Sequence, residues 1–316
     1  MFDAHKIMRR LRVTSLVAVC LTLIVIGVGV FTRLSDAGLG CPDWPACYGH
    51  FIVPKNTNAM RSPIEVKKAQ IEMGHRYVAG VLTVVIFAVA LLSILAASFG
   101  GISFLLSALT LLFLLSYQIV LGMWTVTMKL APWVVMQHLI VGVGILSVLW
   151  LIYLRAKHHA NHFVVRTVSV KLRMFGMLCF ILLFLQIILG GWTSSHYAGL
   201  ICRGVLACDP VRTAHHLTAS DTTKITIQMT HRFGAVIVSV ALLILFFWIR
   251  FAYRDFLPLR KVAHYLVMFL VIQIALGMFN VALQLPILIA LIHNLMAAIM
   301  LLTLVTINFY LNRVRC

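Results

Sequence analysis

EMGHRYVAGVLTVVIFAVALLSILAASFGG, Glu72 to Gly101, is the stretch that decides the fold. It opens on a polar turn carrying His75. From Tyr77 onward the chain holds no Asp, Glu, Lys or Arg as far as Met128, a run of 52 residues. A bilayer crossing takes about 20 apolar residues. The run therefore predicts two transmembrane helices, folded back at Gly100-Gly101, where glycine permits the turn. Outward from it, Val13–Phe31, Leu130–Leu154, Met174–Trp192 and Phe233–Ile249 are further spans. Val262–Asn312 again lacks charge and breaks near Gln284-Leu285-Pro286 into two. The expected fold is all-α and integral to a membrane, with eight transmembrane helices as two pseudo-symmetric four-helix bundles. The halves are 1–160 and 161–316. A composition of 62% hydrophobic and 11% charged residues excludes an ordinary soluble domain. Val13–Phe31 is followed by no small-residue cleavage site, so it is read as a retained helix rather than a signal peptide.

The deciding stretch also returns. HRYVAGVLTVV at His75 is repeated as HRFGAVIVSVA at His231, 156 residues later. QIVLG at Gln118–Gly122 returns as QIALG at Gln273–Gly277, and His138 as His293, both after 155 residues. TRLSDAGLGC, ending at Cys41, is echoed by TSSHYAGLIC, ending at Cys202, after 161. An internal repeat of this period marks two copies of one structural unit. The repeated unit carries two histidines and a cysteine pair, residue types that ligate metals or haem.

Lysine and arginine set the orientation. The N-terminal tail, the central linker, the connection between helices 6 and 7 and the C-terminus hold fifteen basic residues against Asp3 and Asp255. The opposite side holds eleven basic residues and six acids. Both termini are therefore expected on the cytoplasmic or matrix side. The net charge of +18 reflects this bias and attraction to anionic lipid. No basic soluble domain exists to bind nucleic acid.

That orientation puts Cys41, Cys47, Cys202 and Cys208 in two external loops, where disulfides persist. Each pair is expected to close within its own loop. Two readings stand for each. One is a structural staple. The other is a redox-active pair, because six residues close a small loop with little entropic stabilisation. A zinc site is disfavoured, since the first loop brings no matched histidine set. Cys20, Cys179 and Cys316 lie in or beyond helices.

Helices 2, 4, 6 and 8 run inward, and His75, His138, His231 and His293 fall early in them. An ionisable residue inside a span marks function by default. One such histidine could simply hydrogen-bond a neighbouring helix. Four at matched depth, two per half, argue against that. Two imidazoles from alternate helices of a bundle suit six-coordinate haem iron. Zinc wants further Cys, Asp or Glu ligands. Gly80, Gly122, Gly142, Gly144, Gly190, Gly191, Gly234 and Gly277 permit close approach of a macrocycle or, more simply, of another helix. The linker residues His158, His159 and His162 are expected to be solvated. His196, His215, His216 and His264 receive no ligand role.

The halves differ at Glu72, three residues before His75, whose counterpart is Gln228. The spacing places carboxylate and ligand on one helix face. Glu72 is either an interfacial anchor, a partner of Arg76 or Arg33, or a group handling protons or charge beside a reactive haem. Arg76 and Arg232 follow the ligand histidines. They are candidates for haem propionates, or equally for snorkelling to the interface.

GLGCPDWPACYG (Gly38–Gly49), EMGHR, QHL, the second cysteine pair, MTHRFGA and the HN of helix 8 together resemble the haem A synthase family, from Thr32 to Asn294. The resemblance implies a membrane oxidoreductase acting on a CH3 group. Its substrate would be haem O and its product haem A, a ring methyl becoming a formyl group by successive hydroxylations. It implies that His75 and His138 hold the substrate haem and His231 and His293 a cofactor haem b. Glu72 matches the family's functional glutamate. The cysteine pairs match its loop pairs, the first with a redox role open. Haem O synthase is the implied supplier of substrate. The electron donor, the oxygen source and any homo-oligomer stay open. The rivals are a dihaem b-type quinol cytochrome without catalysis on haem, and a haem carrier for a terminal oxidase. The short tails, without a transit peptide, favour a bacterial plasma membrane over a mitochondrial inner membrane.

Overall fold

A computed structural model describes residues 2–53, 62–159, 168–202, 204, 208 and 218–313. It contains eight helices: α1 (Phe2–Leu34), α2 (Pro63–Gly100), α3 (Ile102–Thr127), α4 (Pro132–Lys157), α5 (Val170–Ser195), α6 (Ala219–Ala252), α7 (Leu257–Ala282) and α8 (Ile287–Arg313). All eight are long and apolar enough to cross a membrane. The chain divides into two compact units, Met1–Asn161 and His162–Cys316.

Within the first unit, α1 packs on α2 and α4, and α3 packs on α2 and α4. Within the second, α5 packs on α6 and α8, and α7 packs on α6 and α8. Each unit is thus a ring of four helices in which the even-numbered pair occupies opposite corners. The turns follow from local chemistry. Gly101, at φ 90°, separates α2 from α3. Pro132 opens α4 and Pro258 lies in the first turn of α7, where proline's missing N–H costs nothing. The hydroxyl of Thr218 accepts from the Asp221 N–H, and the Asp221 carboxylate accepts from the Thr218 N–H, a reciprocal cap on α6.

The helices are longer than their apolar runs. α2 begins at Pro63 and α6 at Ala219, each twelve residues before its histidine. The extra turns carry Glu65, Lys67, Lys68 and Glu72 in α2, charges that hide them from a search for uninterrupted apolar spans. At about 1.5 Å per residue they add roughly 18 Å of helix before the histidine. They form the platform on which the first cysteine loop is laid. At the other end of the first unit, the Arg155 guanidinium donates to the Ser103 carbonyl at 2.9 Å and to the Ser107 hydroxyl, joining α4 to α3.

One linker expectation is corrected. His158 is buried, at 6% exposure, at the C-cap position of α4, where its backbone N–H donates to the Leu154 carbonyl. His159 is exposed, edge-on to Phe104. His162, His215, His216 and Cys316 lie outside the described residues.

Candidate functional site

In each unit the two histidines stand on the helices at opposite corners of the ring. His75 and His138 lie within electrostatic range of each other, as do His231 and His293. Each imidazole is seated on a glycine of the preceding helix. A Cβ built on Gly29 would lie 3.0 Å from Cε1 of His75, and one on Gly190 3.1 Å from Cε1 of His231. The corresponding distances are 3.6 Å for Gly122 and His138, and 3.2 Å for Gly277 and His293. The glycines are therefore seats for rings as well as contacts between helices. Gly29 is the member that the sequence reading did not single out.

Three rings also meet a glutamine one turn before that glycine. The Gln118 amide nitrogen lies 3.3 Å from Nε2 of His138, and that of Gln273 3.3 Å from Nε2 of His293. The Gln186 amide nitrogen lies 3.0 Å from Nδ1 of His231 and donates to the His231 carbonyl at 2.8 Å. The signal was available in the sequence: QIILG at Gln186–Gly190 is a third copy of the QIVLG pattern. The halves also differ beside His138. The Tyr117 hydroxyl donates to the Gln137 side-chain carbonyl, while the matching residues of the second half are Ile272 and Ile292.

Outside the histidines lies the cysteine loop. Cys41 and Cys47 form a disulfide with Cα atoms 4.8 Å apart, and Cys202 and Cys208 one with Cα atoms 4.6 Å apart. Cys20 and Cys179 carry free thiols. The loop tip is a tight hairpin: Tyr48 and Gly49 have φ of 53° and 76°, and the Cys47 and His50 backbones pair across it. The Asp43 carboxylate accepts from the N–H groups of Tyr48 and Gly49 at 2.6 and 2.8 Å. The disulfide is buried against Ala69 and Met73 of α2.

Glu72 joins this loop to the helix of His75. It is 5% exposed. Its Oε2 accepts from the Cys41 N–H at 2.8 Å, and its Oε1 from the Arg76 guanidinium at 2.5 Å. Arg76 donates further to the carbonyls of Asp43, Ala46 and Pro45 at 2.9, 2.7 and 3.3 Å. The second half repeats the design without the charge. Gln228 accepts from the Cys202 N–H at 3.0 Å and donates to the Gly199 carbonyl at 2.7 Å. Arg232 donates to the carbonyls of Gly204 and Cys202 at 2.6 and 3.2 Å. Both arginines thus clamp the cysteine loops, a role their sequence position did not announce. Of the two partners expected for Glu72, Arg76 is the one it meets, while Arg33 pairs with Asp36 at 3.7 Å.

His196 lies over the Trp192 ring, with Nδ1 3.0 Å from the Trp192 carbonyl, and His264 sits against the Arg260 carbonyl at 2.7 Å. Both are helix-end contacts.

Gly40 explains how closely the first loop can lie on α2. A Cβ there would fall 2.5 Å from the Lys68 carbonyl carbon and 2.6 Å from the Ala69 nitrogen, both backbone atoms that cannot swing aside. Ile201 occupies the matching place in the second half. Gly40→Ala is therefore expected to lift the loop, lowering stability by about 1–3 kcal/mol, the usual cost of overpacking. Dithiothreitol should then reduce Cys41–Cys47 faster than Cys202–Cys208, read by thiol alkylation and peptide mapping. An unchanged reduction rate would mean that the loop is not seated on α2.

Comparison with known proteins agrees with this architecture. Residues 12–305 match the COX15-CtaA family model, described as cytochrome oxidase assembly protein. The chain is 40% identical over 320 residues to a protein of Shewanella oneidensis named heme A synthase, covering 92% of this chain and 93% of that one. It is 26% identical over 319 residues to a heme A synthase of Neorickettsia sennetsu, covering 90% and 94%. With nearly the whole length matched, the chain belongs to the COX15-CtaA family of cytochrome oxidase assembly proteins.

Proposed function

We propose that this chain is a haem A synthase, a membrane oxidoreductase that converts a ring methyl of haem O to a formyl group by successive hydroxylations. The observation that carries this reading is a pair of half-buried imidazoles, on helices at opposite corners of the ring, in each four-helix unit of a chain of this family. The residues fit a haem. Nδ1 of His75, His138 and His293 are buried polar atoms without a hydrogen-bond partner among the described residues, and each ring is aimed by the glycine behind it. No cluster of three or more His, Cys, Asp or Glu suited to a bare metal ion occurs among the described residues.

We assign His75 and His138 to the substrate haem, in residues 1–160, and His231 and His293 to haem b, in residues 161–316. Haem b supplies one-electron transfer when bound. The protein's own work is orientation and charge. His75 and His138 hold the substrate, and the walls of α1–α4 keep it in the bilayer, where its isoprenoid tail belongs. Glu72 places a carboxylate one helical turn from a ligand, where it stabilises positive charge developing at the substrate edge. Arg76 and the loop carbonyls hold that carboxylate in one position. The Cys41–Cys47 disulfide keeps the loop closed over the outer end of the site.

The Shewanella oneidensis relative supports a bacterial plasma membrane, and the basic residues at the termini, the linker and the α6–α7 connection support both termini on its cytoplasmic side. Haem O synthase is the natural supplier of substrate.

The test is extraction and identification of haems from the purified protein. Haem O and haem A beside haem b support the synthase. Haem b alone, with rapid reduction by quinol, would instead support an electron-transfer cytochrome.

A further inference from the structure

The seam between α3 and α4 in the first unit carries polar and aromatic side chains where the matching seam of the second unit is apolar. The Tyr117 hydroxyl on α3 donates to the Gln137 side-chain carbonyl on α4, and the rings of Trp124 and Trp133 lie 6.4 Å apart. In the second unit, 155 residues later, these four positions are Ile272, Ile292, Phe279 and Leu288. All four of the latter are exposed, as side chains turned to lipid are. Trp133 is exposed in the same way, while Tyr117, Trp124 and Gln137 are half-buried. Packing of α3 on α4 does not by itself call for the polar pair, since α7 packs on α8 with isoleucines in its place.

Tryptophan settles at the membrane–water interface. Gln137 lies four residues inward from Trp133, about 6 Å deeper along the helix, and so in the hydrocarbon. Tyr117 engages its carbonyl, and its amide nitrogen meets no acceptor among the described residues. Lipid chains supply none, and an unmet donor at that depth is costly. The next residue on each helix belongs to the haem site: Gln118 follows Tyr117, His138 follows Gln137, and those two meet at 3.3 Å. The pair therefore stands beside a ligand, on a seam that reaches the bilayer, with a donor to offer.

We propose that Gln137 recognises the side-chain hydroxyl of haem O, with Tyr117 as its positioning residue, and that the isoprenoid chain leaves the first unit through the α3–α4 seam. The inference rests on the assignment of His75 and His138 to the substrate haem. Haem O carries a hydroxyl-bearing isoprenoid chain where haem b carries a vinyl group. The hydroxyl oxygen accepts from the Gln137 amide, and the Tyr117 hydroxyl orients that amide through its carbonyl. The chain beyond the hydroxyl runs into lipid. Haem b has neither group, and the unit assigned to it has Ile272 and Ile292 at these positions. The pair is thus a determinant of which haem the first unit holds.

The experiment titrates haem O, and separately haem b, into the full-length protein in detergent with its second unit already holding haem b, following the Soret band. Gln137→Met keeps the length of the side chain and removes the amide. It is expected to weaken haem O binding by about 5- to 10-fold, the scale of one net hydrogen bond, and to leave haem b binding in the first unit unchanged. Tyr117→Phe should lower the same haem O preference by a smaller factor, roughly 2- to 3-fold. The double variant Tyr117→Ile, Gln137→Ile, which installs the pair of the second unit, should lose as much preference as Gln137→Met. An unchanged ratio of haem O to haem b affinity in Gln137→Met overturns the proposal, whether neither affinity moves or both fall together, and leaves the pair a packing contact. His138→Ala is measured in parallel. If it binds haem O as the wild type does, the ligand assignment itself fails. If it loses haem O while Gln137→Met keeps the wild-type ratio, only the present inference fails.

Discussion

Glu72→Gln protein is expected to fold, to carry haem b at wild-type level and to make haem A at least about 100-fold more slowly, the usual scale for removing a positioned acid or base. The second half shows why the fold should survive. Gln228 already performs the tether that Glu72 performs, accepting from the N–H of the first loop cysteine at 3.0 Å against 2.8 Å for Glu72. An amide is therefore sufficient for the anchor. What the substitution removes is the negative charge and the 2.5 Å pair with Arg76, which keeps its bonds to the loop carbonyls. The readout is haem composition at matched yield. Normal haem A production would reduce Glu72 to the loop anchor that the shared geometry already explains. The reverse change has a different cost. Gln228→Glu loses the donor to the Gly199 carbonyl and sets a carboxylate beside it. Its expected effect is a stability loss of about 1–3 kcal/mol, the price of a buried group left unpaired, with the chemistry little altered.

Removing the histidines should divide along the same line. His231→Ala and His293→Ala are expected to lose the low-spin signal of haem b and, with it, turnover. His75→Ala and His138→Ala are expected to keep haem b and fail to hold substrate, with haem A formation at least about 100-fold down. The groups seen beside each ring among the described residues would not take its place in holding a haem. Each ring fills the space over a glycine, and the neighbouring glutamines are amides, poor ligands for haem iron. Absorption and electron paramagnetic resonance spectra of the four variants, at equal protein, decide the matter. Full haem content and unchanged spectra in all four would show the ligands to be elsewhere.

The eight helices were legible in the chain because a bilayer imposes a length on apolar runs that no packing detail can alter. The breaks at Gly100-Gly101 and near Pro286 were legible for the same reason, since uncharged runs of 52 and 51 residues must turn back. The starts of α2 and α6 were not. Pro63 to Lys68 is too charged to read as a span, and only the helix laid beneath the Cys41–Cys47 loop shows why those turns exist. His75, His138, His231 and His293 stood out because the repeat places them at equal depth, and the pairing of Cys41 with Cys47 because six residues permit little else. Sequence spacing carried no information about what lies across a helix interface. It left Arg76 open between haem carboxylates and the interface, and Glu72 between two arginines, whereas the loop carbonyls and the Cys41 N–H belong to a segment roughly thirty residues earlier in the chain. His158 was misread as solvated because its burial is a property of the end of α4, not of the linker composition. The repeat determined which residues correspond between the halves. Only the tertiary structure decided which of them touch, because a hydrogen bond needs two groups within about 3 Å, and a period of 155 residues fixes correspondence between halves without fixing contact within them.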